Sequence, residues 1–120
     1  MRSPTQRSLE LLRSQGFSVQ VVETYNFFSK QRKDLFGFID ICAIHPKHDG
    51  VLGIQTTSGS NINARVEKAF AIPECKTWLM AKNRIIFHGW RRIKKGYDKP
   101  TWVPIEKEAV LNTIGEIVLI

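Results

Sequence analysis

Hydrophobic and polar positions along the chain sort into a short series of elements. Ser3-Pro4-Thr5-Gln6 has the form of a helix start, with Ser at the N-cap, Pro at the first helical position and Gln closing a capping box. Leu9, Leu11 and Leu12 give the apolar stripe and Gly16 a stop, which predicts a helix over 4–15. Residues 17–23 alternate as a strand would, with Phe17, Val19, Val21 and Glu23 on one face. Thr24 to Asp34 is polar and basic around the pair Phe27-Phe28 and reads as a long loop, a kind of connection that tends to be functional in a compact domain. Two apolar runs, 35–44 and 51–57, read as strands joined by the turn His45-Pro46-Lys47-His48-Asp49-Gly50.

Ser58-Gly59-Ser60-Asn61 breaks the second run, and Ile62, Val66, Ala69 and Phe70 then form a helical stripe with Arg65 and Lys68 on the opposite side. Pro73 interrupts, and 74–82 reads as a second short helix containing Trp78 and Leu79. A strand over 84–90, a basic turn over 91–100 and a closing strand over 101–105 follow, while 106–120 fits a helix or a strand. No internal repeat and no linker divides the chain. The expectation is one domain, 1–120, of α/β (α+β) class: an early antiparallel meander covered by helices.

One acid and one amide interrupt the two apolar runs. A charge among strand-formers, as Asp40 is in Gly37-Phe38-Ile39-Asp40-Ile41, is costly unless something pairs with it. If Ile44 faces Val51 across the turn, antiparallel pairing sets Asp40 opposite Gln55. Phe38, Asp40 and Cys42 then share a face with Gly53, Gln55 and Thr57, where Gly53 is expected to keep the surface open and Glu23 to point to the same side.

Charge changes the picture more than composition does. Eighteen Lys and Arg against eleven acids give a net charge of +7, which favours a polyanionic partner such as a phosphate backbone. No apolar run approaches the roughly 20 residues of a membrane span, and the N-terminal residues lack the apolar core of a signal peptide, so a cytoplasmic protein with no membrane contact is expected. Cys42 and Cys75, without C-x-x-C spacing, read as two buried thiols. The His45, His48, Asp49 group reads as a solvated turn and not as a metal site. Arg91, Arg92, Lys94 and Lys95 are interleaved with Trp90, Tyr97 and Trp102 as on a nucleic-acid surface, and Lys30, Arg32 and Lys33 form a second basic segment beside Gly37. A solvated turn with packed Trp rings is the alternative for both.

The order α-β-β-β-α-β, with an acid in the second strand and a polar triplet in the third, resembles the P-D-(D/E)-X-K nuclease superfamily. The likeness is to its Holliday junction resolvase-like and VRR-NUC-type members. Gly37-Phe38-Ile39-Asp40-Ile41 stands in place of the Gly-x-Pro-Asp stretch, with Ile39 where Pro is usual. Ile54-Gln55-Thr56-Thr57 stands in place of the strand ending in Glu-x-Lys, with Gln55 for Glu and Thr57 for Lys. Ser8 to Val19 resembles the family's first helix and strand, and Glu10 matches its helical acid.

The resemblance implies a restriction-endonuclease-like αβββαβ core, a mixed sheet flanked by helices, and Mg²⁺- or Mn²⁺-dependent cleavage of duplex or branched DNA. Asp40 would be the main metal ligand, aided by the Gln55 side-chain oxygen and the Thr56 carbonyl, with a second carboxylate from Glu10, Glu23 or Asp34. Lys68 or Arg65 would supply the cation that Thr57 cannot. Lys30, Arg32, Lys33, Arg65, Arg91, Arg92, Lys94 and Lys95 would grip the DNA backbone, and Phe36, Phe38 and Ile120 are available to a core or to a homodimer interface. The alternatives are a catalytically inactive module of the same fold that binds nucleic acid or a protein, and an unrelated basic domain in which Asp40 is structural.

Overall fold

The computed structural model describes residues 2–120. Helix α1, Pro4–Ser14, begins with the expected capping box: the Ser3 hydroxyl accepts from the Gln6 amide, and the Gln6 side chain accepts from the Ser3 amide. Strand β1 (Ser18–Val21) pairs antiparallel with β4 (Ile41–Ile44), which pairs antiparallel with β5 (Leu52–Ser58). A 3₁₀ turn at Gly59–Asn61 leads into α2 (Ile62–Phe70) and α3 (Pro73–Met80). These two helices carry the chain back so that β6 (Arg84–Ile93) lies parallel to β5, as a parallel pair requires a crossover. β7 (Thr101–Leu111) and β8 (Ile117–Leu119) complete a mixed six-stranded sheet in the order β1-β4-β5-β6-β7-β8. The fold is therefore mixed α and β, with helices on both faces of the sheet.

Side-chain alternation divides the core in two. Leu12 of α1 packs with Ile41, Ala43, Leu52 and Ile54 on one face. Ile62, Val66 and Ala69 of α2 and Cys75 and Leu79 of α3 pack with Ile85 and Phe87 on the other.

Three expectations need correction. First, the run 35–44 is not one strand. Phe36 and Gly37 both have positive φ (55° and 85°), and the Phe38 amide donates to the Leu35 carbonyl, so Leu35–Phe38 is a tight turn with Leu35 paired to Ile39. Second, the loop 24–34 contains a small hairpin, β2 (Thr24–Asn26) against β3 (Gln31–Lys33). Third, the closing strand runs to Leu111 and the tail adds a further strand, while Arg91 and Arg92 belong to β6 and not to a turn. Pro104 is tolerated because β8 pairs with β7 only at 109–111, leaving one edge of β7 free beside it.

Gly53 does not hold a face open. A Cβ there would lie 3.1 Å from Ile39 Cδ1 and 3.2 Å from Trp78 Cζ2, so the glycine admits close packing by both side chains. Cys75 is buried and Cys42 half-buried, both as free thiols. Phe38 belongs to the core, whereas Phe36 and Ile120 are exposed.

A carboxylate cluster in a basic cleft

Strand registers place the acids. The β4–β5 ladder pairs Ile41 with Ile54 and Cys42 with Gly53, so one further step sets Asp40 opposite Gln55, in the register expected. The Leu35–Ile39 pairing, extended by one step, sets Asp34 against Asp40. The β2–β3 register, which pairs Thr24 with Lys33, likewise sets Glu23 against Asp34. Four residues, Glu23, Asp34, Asp40 and Gln55, thus fall side by side through three successive chain reversals. One carboxylate oxygen from each of Glu23, Asp34 and Asp40 lies within 4.8 Å of the others.

Asp40 is the innermost of the three. It is 5% exposed, and its Oδ2 accepts from the Thr56 amide at 2.9 Å and from Gln55 Nε2 at 2.8 Å. Burial, then a hydrogen bond with Asp34 and the charges of Asp34 and Glu23, push its carboxyl up to about 8 against the backbone bond that favours ionisation. Asp40 is thereby left mostly protonated at neutral pH. Gln55 Nε2 also points toward Asp34 Oδ2, at 3.4 Å, so its amide group bridges two acids.

The cluster opens into a cleft of about 460 Å³ lined by Glu23, Asp34, Arg32, Lys33, Arg65 and Lys68 among others. Arg32 Nη1 stands 3.7 Å from Glu23 Oε1. Arg32 and Lys33 come from the β2–β3 hairpin, and Arg65 and Lys68 from α2.

The other expected residues lie elsewhere or play other parts. Glu10 is on the outer side of α1, exposed and bonded to Arg2 at 2.9 Å, and it takes no part in the cluster. Gln55 presents its nitrogen, not its oxygen, to the acids. Thr57 is buried in β5 and does not line the cleft. Lys30 is exposed at the tip of the β2–β3 hairpin. Arg91, Arg92, Lys94 and Lys95 are exposed at the far end of the β6–β7 ribbon, outside the cleft lining. His45 and His48, in the β4–β5 turn, pack against Phe17 with ring centroids 5.0 and 5.9 Å away.

On the opposite face of the sheet lies a polar network that sequence reasoning missed. Ser8 Oγ, fully buried, meets Thr56 Oγ1 and His88 Nδ1 at 2.8 Å each and accepts from Trp90 Nε1 at 2.9 Å. His88 Nε2 reaches Glu106 at 3.2 Å, and burial holds the imidazole below its ordinary pKa despite that carboxylate. With Ser8 donating to Nδ1 and accepting from Thr56 and Trp90, every hydrogen-bonding position of the hydroxyl is used. The available signals were Ser8 four residues before Leu12 on the buried stripe and His88 alternating with Ile86 and Trp90 along β6.

Comparison of the chain with family models, curated proteins and solved structures finds no match. No described helix is long and apolar enough to cross a membrane. The cleft offers hard oxygen donors of a kind suited to a small divalent cation, and four positive side chains of a kind suited to a phosphate.

Proposed function

We propose that this domain binds DNA and hydrolyses phosphodiester bonds with a divalent cation, Mg²⁺ or Mn²⁺, held by Asp40, Asp34 and Glu23. The observation that carries the reading is the convergence of three acids, one with its carboxyl pushed up to about 8, in a cleft walled by Arg32, Lys33, Arg65 and Lys68. Such a donor set fits a hard cation, which would activate water and neutralise charge building on the phosphate. Asp40 must give up its proton for the cation to enter. Lys68 and Arg65 would hold the phosphate from the α2 side, supplying positive charge that Thr57 lacks. Arg32 and Lys33 would hold it from the hairpin side. The finer reading of the fold belongs to the same proposal. On this reading α1, β1, β4, β5, α2 and β6 would be the αβββαβ core of a restriction-endonuclease-like fold, and the β2–β3 hairpin an insertion into it.

A second reading has its own support. Because the Gln55 amide already bridges Asp40 and Asp34, the cluster has a neutral partner in the absence of metal, as a binding module without catalysis would need. Cleavage of plasmid and branched DNA separates the two. For the enzyme, cleavage requires Mg²⁺ or Mn²⁺, and Asp40→Asn lowers it by about a hundredfold or more while DNA binding stays within a few-fold. Salt-sensitive binding with no metal-dependent cleavage of any DNA would leave the inactive module standing.

A further inference from the structure

The β2–β3 hairpin carries more than its two cleft-lining cations. Phe28 at its tip is fully exposed, Phe27 is 82% exposed and Tyr25 48%, a concentration of bare aromatic surface beside an acid cleft. The tip is shaped. Asn26 Oδ1 accepts from the amides of Phe28 and Ser29 at 2.9 and 3.2 Å, and Tyr25 and Phe27 meet edge to face with centroids 5.1 Å apart. Tyr25 stands opposite Arg32 in the hairpin register. By alternation Glu23, Tyr25, Arg32 and Asp34 lie on the same hairpin face. A second groove, of about 370 Å³, runs along Thr24 and Tyr25 and shares Glu23 and Arg32 with the acid cleft. A trough thus leads from the carboxylates, past a guanidinium, to Tyr25, whose ring meets Phe27.

We propose that the β2–β3 hairpin is a stacking finger that takes unpaired bases of a DNA strand whose backbone crosses the acid cleft, so that the favoured substrate has a single-stranded segment beside the scissile phosphate. This rests on the nucleic-acid reading of the cleft given above. Rings interleaved with Lys30, Arg32 and Lys33 suit a ligand with alternating flat apolar faces and negative charges, which a single strand presents and a closed duplex hides. A protein partner would be drawn to the aromatics but would not explain the run of cations leading to metal-binding acids.

The test is binding by the full chain, in chelator so that nothing is cut, to oligothymidylate and to a blunt duplex of the same length. Wild type should prefer the single strand. Phe27→Ala with Phe28→Ala should weaken single-strand binding by about tenfold or more, leave duplex binding within about twofold, and leave the melting temperature unchanged. Phe28→Trp should keep single-strand binding, with its indole emission quenched by the stacked base. Equal binding of both DNAs by wild type, or single-strand binding indifferent to the double alanine change, would overturn the finger while leaving a duplex-cutting enzyme intact. Phenylalanine-dependent binding to phosphatidylserine vesicles, with no such dependence on the single strand, would likewise overturn it in favour of a lipid surface. Failure to bind either DNA would remove the nucleic-acid reading itself, and the finger with it.

Discussion

At the scale of single residues, Asp40 and Gln55 set how the carboxylate cluster holds its protons. The Asp40 carboxyl is raised from 3.8 to about 8 in the folded chain, so the folded state retains a proton that the unfolded chain releases. That stabilisation is complete below about pH 3.8 and is lost as pH rises through about 8. In chelator, thermal unfolding should therefore occur at falling temperature across this window, with a total loss on the order of a few kcal/mol, and Asp40→Asn should flatten the profile. Saturating Mg²⁺ should flatten it too, by supplying the missing positive charge. Gln55 separates two pictures of the site. The sequence suggests that its oxygen is a ligand, in which case Gln55→Ala weakens Mn²⁺ binding. The structure shows its nitrogen donating to both acids, which would make it a rival of any cation bound there. Calorimetric titration of Gln55→Ala with Mn²⁺ should thus give affinity equal to or several-fold above wild type, because entry no longer breaks two hydrogen bonds. Asp40 was legible from its apolar surroundings alone. Asp34 was legible only as one of three options, because nothing in residue spacing reveals which way a polar segment folds back.

At the scale of elements, regular periodicity was readable and chain reversals were not. Helix α1 follows from its cap and stripe, and α2 from Ile62, Val66 and Ala69. The run 35–44 has strand-forming composition throughout, yet Phe36 and Gly37 take left-handed backbone geometry and turn it. That single reversal carries Asp34 to Asp40, so the feature hardest to read is the one that assembles the site. The basic segment 24–34 was read as functional without its hairpin, since arms of three residues, all exposed, leave no apolar alternation to detect. Gly53 shows the same limit from the packing side. A glycine in a strand signals close approach, but not by what. Here Ile39 and Trp78 press on it, and Gly53→Ala should cost about 1–3 kcal/mol in denaturant unfolding, through displacement of the Ile39 side chain next to Asp40.

At the scale of the whole molecule, the antiparallel start and the parallel β5–β6 pair agree with the expected order of elements, while the length of the β6–β7 ribbon and the β8 strand do not emerge from the sequence. Residues 106–120 mix charged and apolar positions with no single period, and only pairing with β6 decides their conformation. Of the 18 Lys and Arg, four line the cleft and four more, Arg91, Arg92, Lys94 and Lys95, sit at the exposed end of the β6–β7 ribbon, while the rest are spread over the surface. Of the positive residues singled out in the sequence, those expected beside the acids line the cleft with them, apart from Lys30, and those of the 91–95 segment lie elsewhere. Arg32, Lys33, Arg65 and Lys68 line the cleft with Glu23 and Asp34, whereas Arg91, Arg92, Lys94 and Lys95 lie outside its lining.

The Ser8 network bears on the order in which the chain folds. All three acids lie between residues 23 and 40, within hairpins that close by short loops, whereas Ser8 meets His88 across 80 residues and Trp90 across 82. Local pairings can form early, and contacts so distant in sequence are made late, once α2 and α3 have returned the chain for β6 to dock. Removing Ser8 strands the Trp90 and His88 nitrogens and the Thr56 hydroxyl on the far side of the folding barrier. Ser8→Ala should lower stability by about 1–3 kcal/mol, and stopped-flow chevrons should show nearly all of it as faster unfolding, with the folding rate close to wild type. The carboxylate cluster would then be the first part of this domain to take shape, and the docking of α1 onto the finished sheet the last.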